Sequence, residues 1–172
     1  MYFLRHTLYR PRQILFHLQE VIDEWEAQSS TFRIDKTFIP GVVSRTNWTL
    51  SQYVVDSLRH TYPDLEPLLK SFGGNENIFP AKKARDHIKR FTKFKEAAEV
   101  KRHLHELIAW GFFGVGDSYP PAQGFLFSYS DPHSVNYFPQ DDVLLAISPM
   151  FEEFCGTKPS LNHGIVLPRT IQ

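Results

Sequence analysis

Residues 95–117 read KEAAEVKRHLHELIAWGFFGVGD, and the architecture that we predict for the whole chain starts from their pattern. Apolar side chains recur there at spacings of three and four, which indicates an amphipathic helix. Gly111 follows the last turn, where glycine commonly ends a helix. The remaining GFFGVGD is apolar enough for a strand. The stretch therefore predicts a helix that leads into a β-strand, with this inward stripe: Ala97, Val100, Leu104, Leu107 and Ile108.

The segments on either side extend this pattern. Pro80 starts an earlier helix with Ala81, Ala84, Ile88 and Phe91 on one face, and a short basic link from Thr92 to Lys95 joins the two helices. GFLFSYS and DVLLAIS predict two further strands, and SYPPAQ resembles a hairpin tip. Helix, helix, strand, long hairpin and strand is the order of a winged helix-turn-helix. A generic helical domain with a β-hairpin has the same periodicity and remains the alternative.

The first part of the chain predicts helices. Pro11 suits a first helical turn, and the apolar spacing after it predicts a helix over residues 11–28. A second helix begins near Asp35 and is interrupted or kinked at Pro40-Gly41. Thr49 or Ser51 caps a third that Pro63 stops, Asp64 caps a short fourth helix, and Gly73-Gly74-Asn75 is a break.

These elements predict a mainly α chain with a small β component. We divide it into a helical lid-like subdomain at residues 1–74, a winged-helix-like module at residues 75–155 and a C-terminal tail at residues 156–172. The segment PMFEEF predicts a last helical turn near the end of the module.

Charge is distributed unevenly along this chain of 172 residues, whose formal net charge is zero. Residues 80–116 carry nine Lys or Arg against four Asp or Glu, whereas residues 117–172 carry two against six. Cys155 is the only cysteine, which fits a reducing compartment. Without an apolar run near the roughly 20 residues of a membrane span, we expect a cytoplasmic protein that does not enter the membrane.

Motifs of autonomous enzymes are absent from the sequence. There is no phosphate-binding loop, no nucleophile elbow, no zinc-protease motif and no paired C-x-x-C. His103 and His105 are two residues apart on a helix, so they point in different directions. Asp141-Asp142 and Glu152-Glu153 are interpreted as a turn and a solvated helix face. We therefore assign no catalytic residue, no metal site and no cofactor to this chain alone.

The basic middle of the chain is the candidate nucleic-acid surface. Most cations of the helix after Pro80 lie away from its apolar stripe, while in the following helix Lys95, Glu99, Arg102 and Glu106 can neutralise one another. The first helix and the turn therefore favour phosphate contacts with duplex DNA. The structural alternatives are a solvated lysine face and a face that pairs with the acidic segment at residues 117–172. The functional alternative is a protein-interaction or autoinhibitory surface. The candidate residues are Lys82, Lys83, Arg85, Lys89, Arg90, Lys93, Lys95 and Arg102.

Two arginines flank Pro11 at the start of the first helix, where the helix dipole disfavours cations. A bound phosphate would reverse that effect, because it gains both the helix N-terminus and a guanidinium. Arg10 and Arg12 therefore indicate an anion site. The alternative is an ordinary ion pair with a neighbouring carboxylate such as Glu66.

The stretch TLYRPRQILFHLQEVI resembles the start of the helical lid in bacterial P-loop ATPases related to the STAND and origin-recognition groups. The similarity continues in WTLSQYVVDSLRHTYPDLEPLLKSFGG and, for the winged-helix end of those proteins, in LHELIAWGFFG and LLAISPMF. Gln13 stands where such stretches commonly have Asp.

This resemblance implies that the chain is the regulatory C-terminal part of a larger ATPase. Arg12 would match the sensor arginine that reaches the nucleotide, with Arg10 beside it. The nucleotide-binding core would lie upstream and would bring ATP and magnesium. Besides that core, the expected partners are double-stranded DNA and further copies of the chain.

Overall fold

A computed structural model describes residues 6–8, 10–28, 37–116, 124–129 and 139–160 of the chain. These residues are mostly helical, and they include one four-stranded antiparallel sheet. In chain order the elements are α1 (Pro11–Gln28), α2 (Ile39–Leu58), α3 (Leu65–Lys70), β1 (Ile78–Pro80), α4 (Ala81–Phe91), α5 (Ala97–Ala109), β2 (Phe113–Gly116), β3 (Phe125–Leu126), β4 (Leu144–Ile147) and α6 (Glu152–Cys155). The prediction of a mainly α chain with a small β component is confirmed.

α2 corrects the predicted boundaries in the first part of the chain. Pro40 lies in its first turn, where no hydrogen bond from the proline nitrogen is needed, so the helix starts there and is not interrupted. Thr49 and Ser51 lie inside α2 and are not caps of a new helix. α2 also ends at Leu58, several residues before Pro63. The predicted start at Asp35 lies outside the described residues.

The other predicted helices are confirmed with small differences, but Ala97 and Phe91, which were expected to face inward, are exposed. α1 has the expected bounds, and α5 ends before Gly111, whose φ of 80° is the left-handed conformation that favours glycine. Asp64 precedes α3 but makes no capping bond there, because its carboxylate accepts the backbone N–H of Lys93 at 3.0 Å. That bond ties the start of α3 to the turn between α4 and α5.

The sheet contains a strand that the sequence pattern does not show. The strand order is β1-β4-β2-β3, and β1 pairs antiparallel with β4 through Ile78, Phe79 and Pro80. With only three residues, β1 is too short for a recognisable alternation, and it passes directly into α4. β2, β3 and β4 confirm the three predicted strands, while the SYPPAQ segment lies outside the described residues.

Both faces of the sheet are buried. Leu145 and Ile147 of β4 belong to the main core, and Leu144 and Ala146 pack on the opposite face in a smaller cluster. The backbone of Gly114 lies so close to the ring of Phe127 that a Cβ atom would stand 2.6 Å from it. The glycine therefore allows the chain after β3 to cover β2.

The main core is continuous between the helical part and the sheet. It includes Leu50 and Val55 of α2 as well as Leu104 of α5 and Leu145 of β4, so it crosses the boundary predicted after residue 74. Phe72 is fully buried at its centre, stacked on Phe79 with ring centroids 4.9 Å apart. The division into a lid, a module and a tail stays a prediction. No described helix is long and apolar enough to cross a membrane.

Candidate nucleic-acid interface

α4 presents the basic face that the sequence predicts. Ala81, Ala84 and Ile88 are buried against the core, so the charged positions between them turn outward. The first backbone N–H groups need no side-chain cap, because those of Ala81 and Lys82 donate to the carbonyls of Val143 and Asp141 at 2.8 and 3.0 Å. The start of α4 is therefore closed by the segment that precedes β4.

The side chain of Arg85 is bound by other groups of the same chain. Its guanidinium lies 2.7 Å from the carboxylate of Asp141, and its two terminal nitrogens donate to the carbonyl of Pro139 at 3.0 and 2.9 Å. The side chain is only 19 % exposed. This contact joins the basic helix to Asp141 in the acidic end of the chain, as expected for a face that pairs with that segment.

Two other predicted cations also contact groups of the chain itself. The ammonium of Lys83 donates to the side-chain oxygen of Asn75 at 2.7 Å. Lys95 donates to the carbonyls of Lys89 and Thr92, the latter at 2.7 Å, and so binds the free carbonyls at the end of α4. These side chains would have to give up a hydrogen bond before they could bind a phosphate.

Four cations remain directed outward at the surface of α4 and the following turn. Lys82 and Lys89 are exposed and make no side-chain hydrogen bond or ion pair with any residue that the structure describes. Arg90 lies over the ring of Phe91 and Lys93 over the ring of Phe94, at 5.3 and 5.6 Å from the ring centroids. A cation on an aromatic face keeps its charge available to solvent and to an anion.

α5 carries mixed charge, as its sequence predicts. Arg102 lies 3.7 Å from Glu106, which also accepts a hydrogen bond from His103 at 3.3 Å. The expected continuation of this stripe to Lys95 is wrong, because α5 begins at Ala97 and Lys95 folds back onto α4. Arg102 is thus partly neutralised, and α5 alone offers little net positive charge.

A cavity of about 220 Å³ lies where α5 meets the turns before α3 and α5. Sequence reasoning missed it, since its wall combines Tyr62 and Asp64 with Lys93 and His103, from distant parts of the chain. Burial lowers the pKa of His103, and its ring nitrogen donates a hydrogen bond to the carboxylate of Glu106 at 3.3 Å. No sequence spacing could have indicated this group of residues.

Arg10 and Arg12 lie at the start of α1, and both are exposed. The Glu66 alternative is not realised, because Glu66 pairs with Arg59 at 3.2 Å and Lys70 at 2.8 Å. Neither arginine pairs with a carboxylate among the described residues. Arg10 and Arg12 precede α4 by about seventy residues in the sequence, and in the part of the chain that the structure describes they make no contact with the basic face of α4.

The first turn of α1 is stabilised by Gln13, the residue that stands where similar stretches commonly have Asp. Gln13 is buried, and its side-chain oxygen accepts the backbone N–H of Leu8 at 2.9 Å. The carbonyl of Arg10 accepts the N–H groups of Gln13 and Ile14 at 3.0 and 3.2 Å. The two guanidinium groups therefore project from a turn held by hydrogen bonds.

No protein-family profile, no curated protein and no solved structure matches this chain. The resemblance to the ATPase lid thus stays a prediction. Within the described ranges no three histidine, cysteine or acidic side chains come together as a metal site. Cys155 is buried, and burial raises the pKa of its thiol.

Proposed function

We propose that the winged-helix-like module predicted at residues 75–155, together with α3 before it, binds the phosphates of duplex DNA. The support is the order of elements: α3, β1, α4, α5, β2 and β4, with β4 lying between β1 and β2 in the sheet. A winged helix has this succession of helices and strands and this placement of its last strand. The described segment β3 adds a fourth strand beside β2.

The observation that carries the DNA-binding part of this proposal is the exposed cation group at the end of α4. Lys89, Arg90 and Lys93 stand at the turn that leads into α5, where a helix-turn-helix contacts the DNA backbone. Such contacts position a protein without reading the sequence of bases. We therefore expect non-specific binding with a dissociation constant of about 10⁻⁴–10⁻⁶ M at physiological salt.

A duplex-binding measurement tests this function. The chain should bind a fluorescent duplex at about 50 mM salt, where phosphate contacts are strong. Replacing Lys82, Lys89 and Lys93 together by Gln should abolish binding. The matched control replaces Arg45, Lys70 and Lys158 by Gln, three exposed cations outside α4 and its following turn. Absence of binding by the unsubstituted chain at low salt contradicts the proposal, and so does equal loss in both variants.

We further propose that this module belongs to a larger P-loop ATPase, in which Arg12, with Arg10 beside it, senses the nucleotide. The support is two exposed arginines at a helix start, together with the sequence resemblance. ATP and magnesium would be held by the upstream core. In the full-length protein, Arg12→Ala should slow ATP hydrolysis while leaving the thermal midpoint nearly unchanged, and this chain alone should hydrolyse nothing. Unchanged turnover with a lower midpoint would mean that Arg12 is structural.

A second candidate function is autoregulation through protein contact, and the contact of Arg85 with Asp141 and Pro139 favours it. If the chain does not bind DNA, the Lys82, Lys89 and Lys93 variant should still change ATPase activity or assembly of the full-length protein. That outcome would assign the basic face to an acidic protein surface. Normal activity and assembly would eliminate this alternative as well.

A further inference from the structure

α1 has an apolar stripe on the side that faces away from the core. Its inward side chains are Gln13, His17 and Val21. On the outer side Leu15 is 66 % exposed, Leu18 38 % and Ile22 42 %. The spacings of three and four place these three side chains in one row, as in a helix that packs against another helix.

The stripe continues into a groove of about 760 Å³ between α1 and α2. Leu15 and Phe16 form one wall, and Leu50, Tyr53 and Val54 form the other. Tyr53 is itself 63 % exposed. An apolar surface that combines a helical row with an adjoining groove is characteristic of an interaction site.

The charges along α1 are divided between its ends. Arg12 is exposed in the first turn and lines the groove, with Arg10 just before the helix. The second half carries exposed Glu20, Asp23 and Glu26. Seven residues are about two helical turns, so Arg12, Gln19 and Glu26 lie in one row along the helix. The cation of Arg12 and the carboxylate of Glu26 therefore flank the apolar stripe on the same side.

We propose that the occupant of this surface is α1 of a second copy of the chain, in the opposite direction. A two-fold axis near Leu18 exchanges Leu15 with Ile22, so the stripe packs against itself. Arg12 lies about 9 Å along the helix on one side of Leu18, and Glu26 lies about 12 Å on the other. The antiparallel arrangement therefore brings Arg12 of each copy close to Glu26 of the other.

Charge complementarity selects this direction over the parallel one. Parallel helices would place the two Arg12 side chains together at one end and the acidic side chains together at the other, which is repulsive. The inference does not rest on the proposed function, because it uses neither α4 nor a nucleotide, although both assign a role to Arg12. It also accounts for cations at a helix start without any bound phosphate.

Sedimentation equilibrium of the chain over a wide concentration range tests the proposal. The unsubstituted chain should reach a dimer. Arg12→Glu and Glu26→Arg should each raise the dissociation constant about tenfold, because the symmetry replaces two attractive pairs by two repulsive ones. The double variant should restore dimerisation. Lys158→Glu, a matched charge reversal outside α1, should leave it unchanged.

Leu18→Glu tests the centre of the interface and should leave a monomer, with helical content checked by circular dichroism. A chain that is monomeric at every concentration overturns the proposal. The proposal is also overturned if none of these α1 substitutions weakens the dimer. It is overturned as well if the double variant dimerises as weakly as Arg12→Glu and Glu26→Arg alone. Because the double variant restores the dimer without restoring an arginine at position 12, a remaining ATPase defect would belong to nucleotide sensing alone.

Discussion

The intramolecular contacts of the basic face predict how strongly DNA binding depends on salt. Lys83, Arg85 and Lys95 are bound to other groups of the chain, and Arg102 is paired with Glu106. Four of the eight candidate cations then remain for phosphates: Lys82, Lys89, Arg90 and Lys93. Each phosphate contact contributes about −0.9 to the slope of log K against log salt concentration, so the expected slope is about −3.6, whereas all eight would give about −7.

Two single substitutions distinguish four phosphate contacts from eight. Lys89→Gln removes one outward cation and should reduce the slope to about −2.7. Arg85→Gln removes a cation that is already bound to Asp141 and Pro139, so the slope should stay near its original value. The assay is fluorescence anisotropy of a labelled duplex at several salt concentrations, with the fold of each variant checked by circular dichroism. A slope near −7 for the unsubstituted chain, or equal reductions in both variants, would refute the reasoning from contacts.

Further predictions concern stability. Gly114→Ala should lower the free energy of unfolding by about 1–3 kcal/mol, since the added methyl group overlaps the buried ring of Phe127. Gly41→Ala, in an exposed helical position, should instead raise the midpoint of thermal unfolding slightly. The pKa of His103 is lowered by burial from 6.5, so the unfolded chain binds more protons. The midpoint should therefore fall as pH decreases below 6.5. His103→Gln should reduce this dependence without removing it, because burial lowers the pKa of His17 and His87 in the same direction. Exposed His60→Gln is the matched control, and a His103→Gln profile parallel to that of the unsubstituted chain would contradict the assignment.

The sequence predicts those parts of the fold that depend on local spacing. The stripe from Val100 to Ile108 and the glycine at 111 define α5 because both act within a few residues. The predicted interruption at Pro40 was wrong, since a proline can start a helix as well as interrupt one. β1 was missed because three residues carry no periodic signal, and only pairing with β4, far along the chain, makes them a strand.

In the candidate site, too, local features could be predicted and distant contacts could not. The outward direction of Lys82 and Lys89 follows from the helical spacing of Ala81, Ala84 and Ile88, and the structure agrees with it. The loss of Arg85 to an intramolecular contact could not be predicted, because its partners lie more than fifty residues away in the chain. Local spacing indicates which way a side chain points, whereas its partner depends on the packing of distant segments.

The two ends of α4 differ in what they can bind. At its start, the N–H groups that usually attract phosphate are occupied by the carbonyls of Val143 and Asp141. At its end, Lys89 and Arg90 stand where cations are favoured by the helix dipole and still point outward. A phosphate therefore has no open helix N-terminus on α4 and must approach through side chains near the turn. Any DNA contact should thus centre on the end of α4 and on Lys93, next to the start of α5.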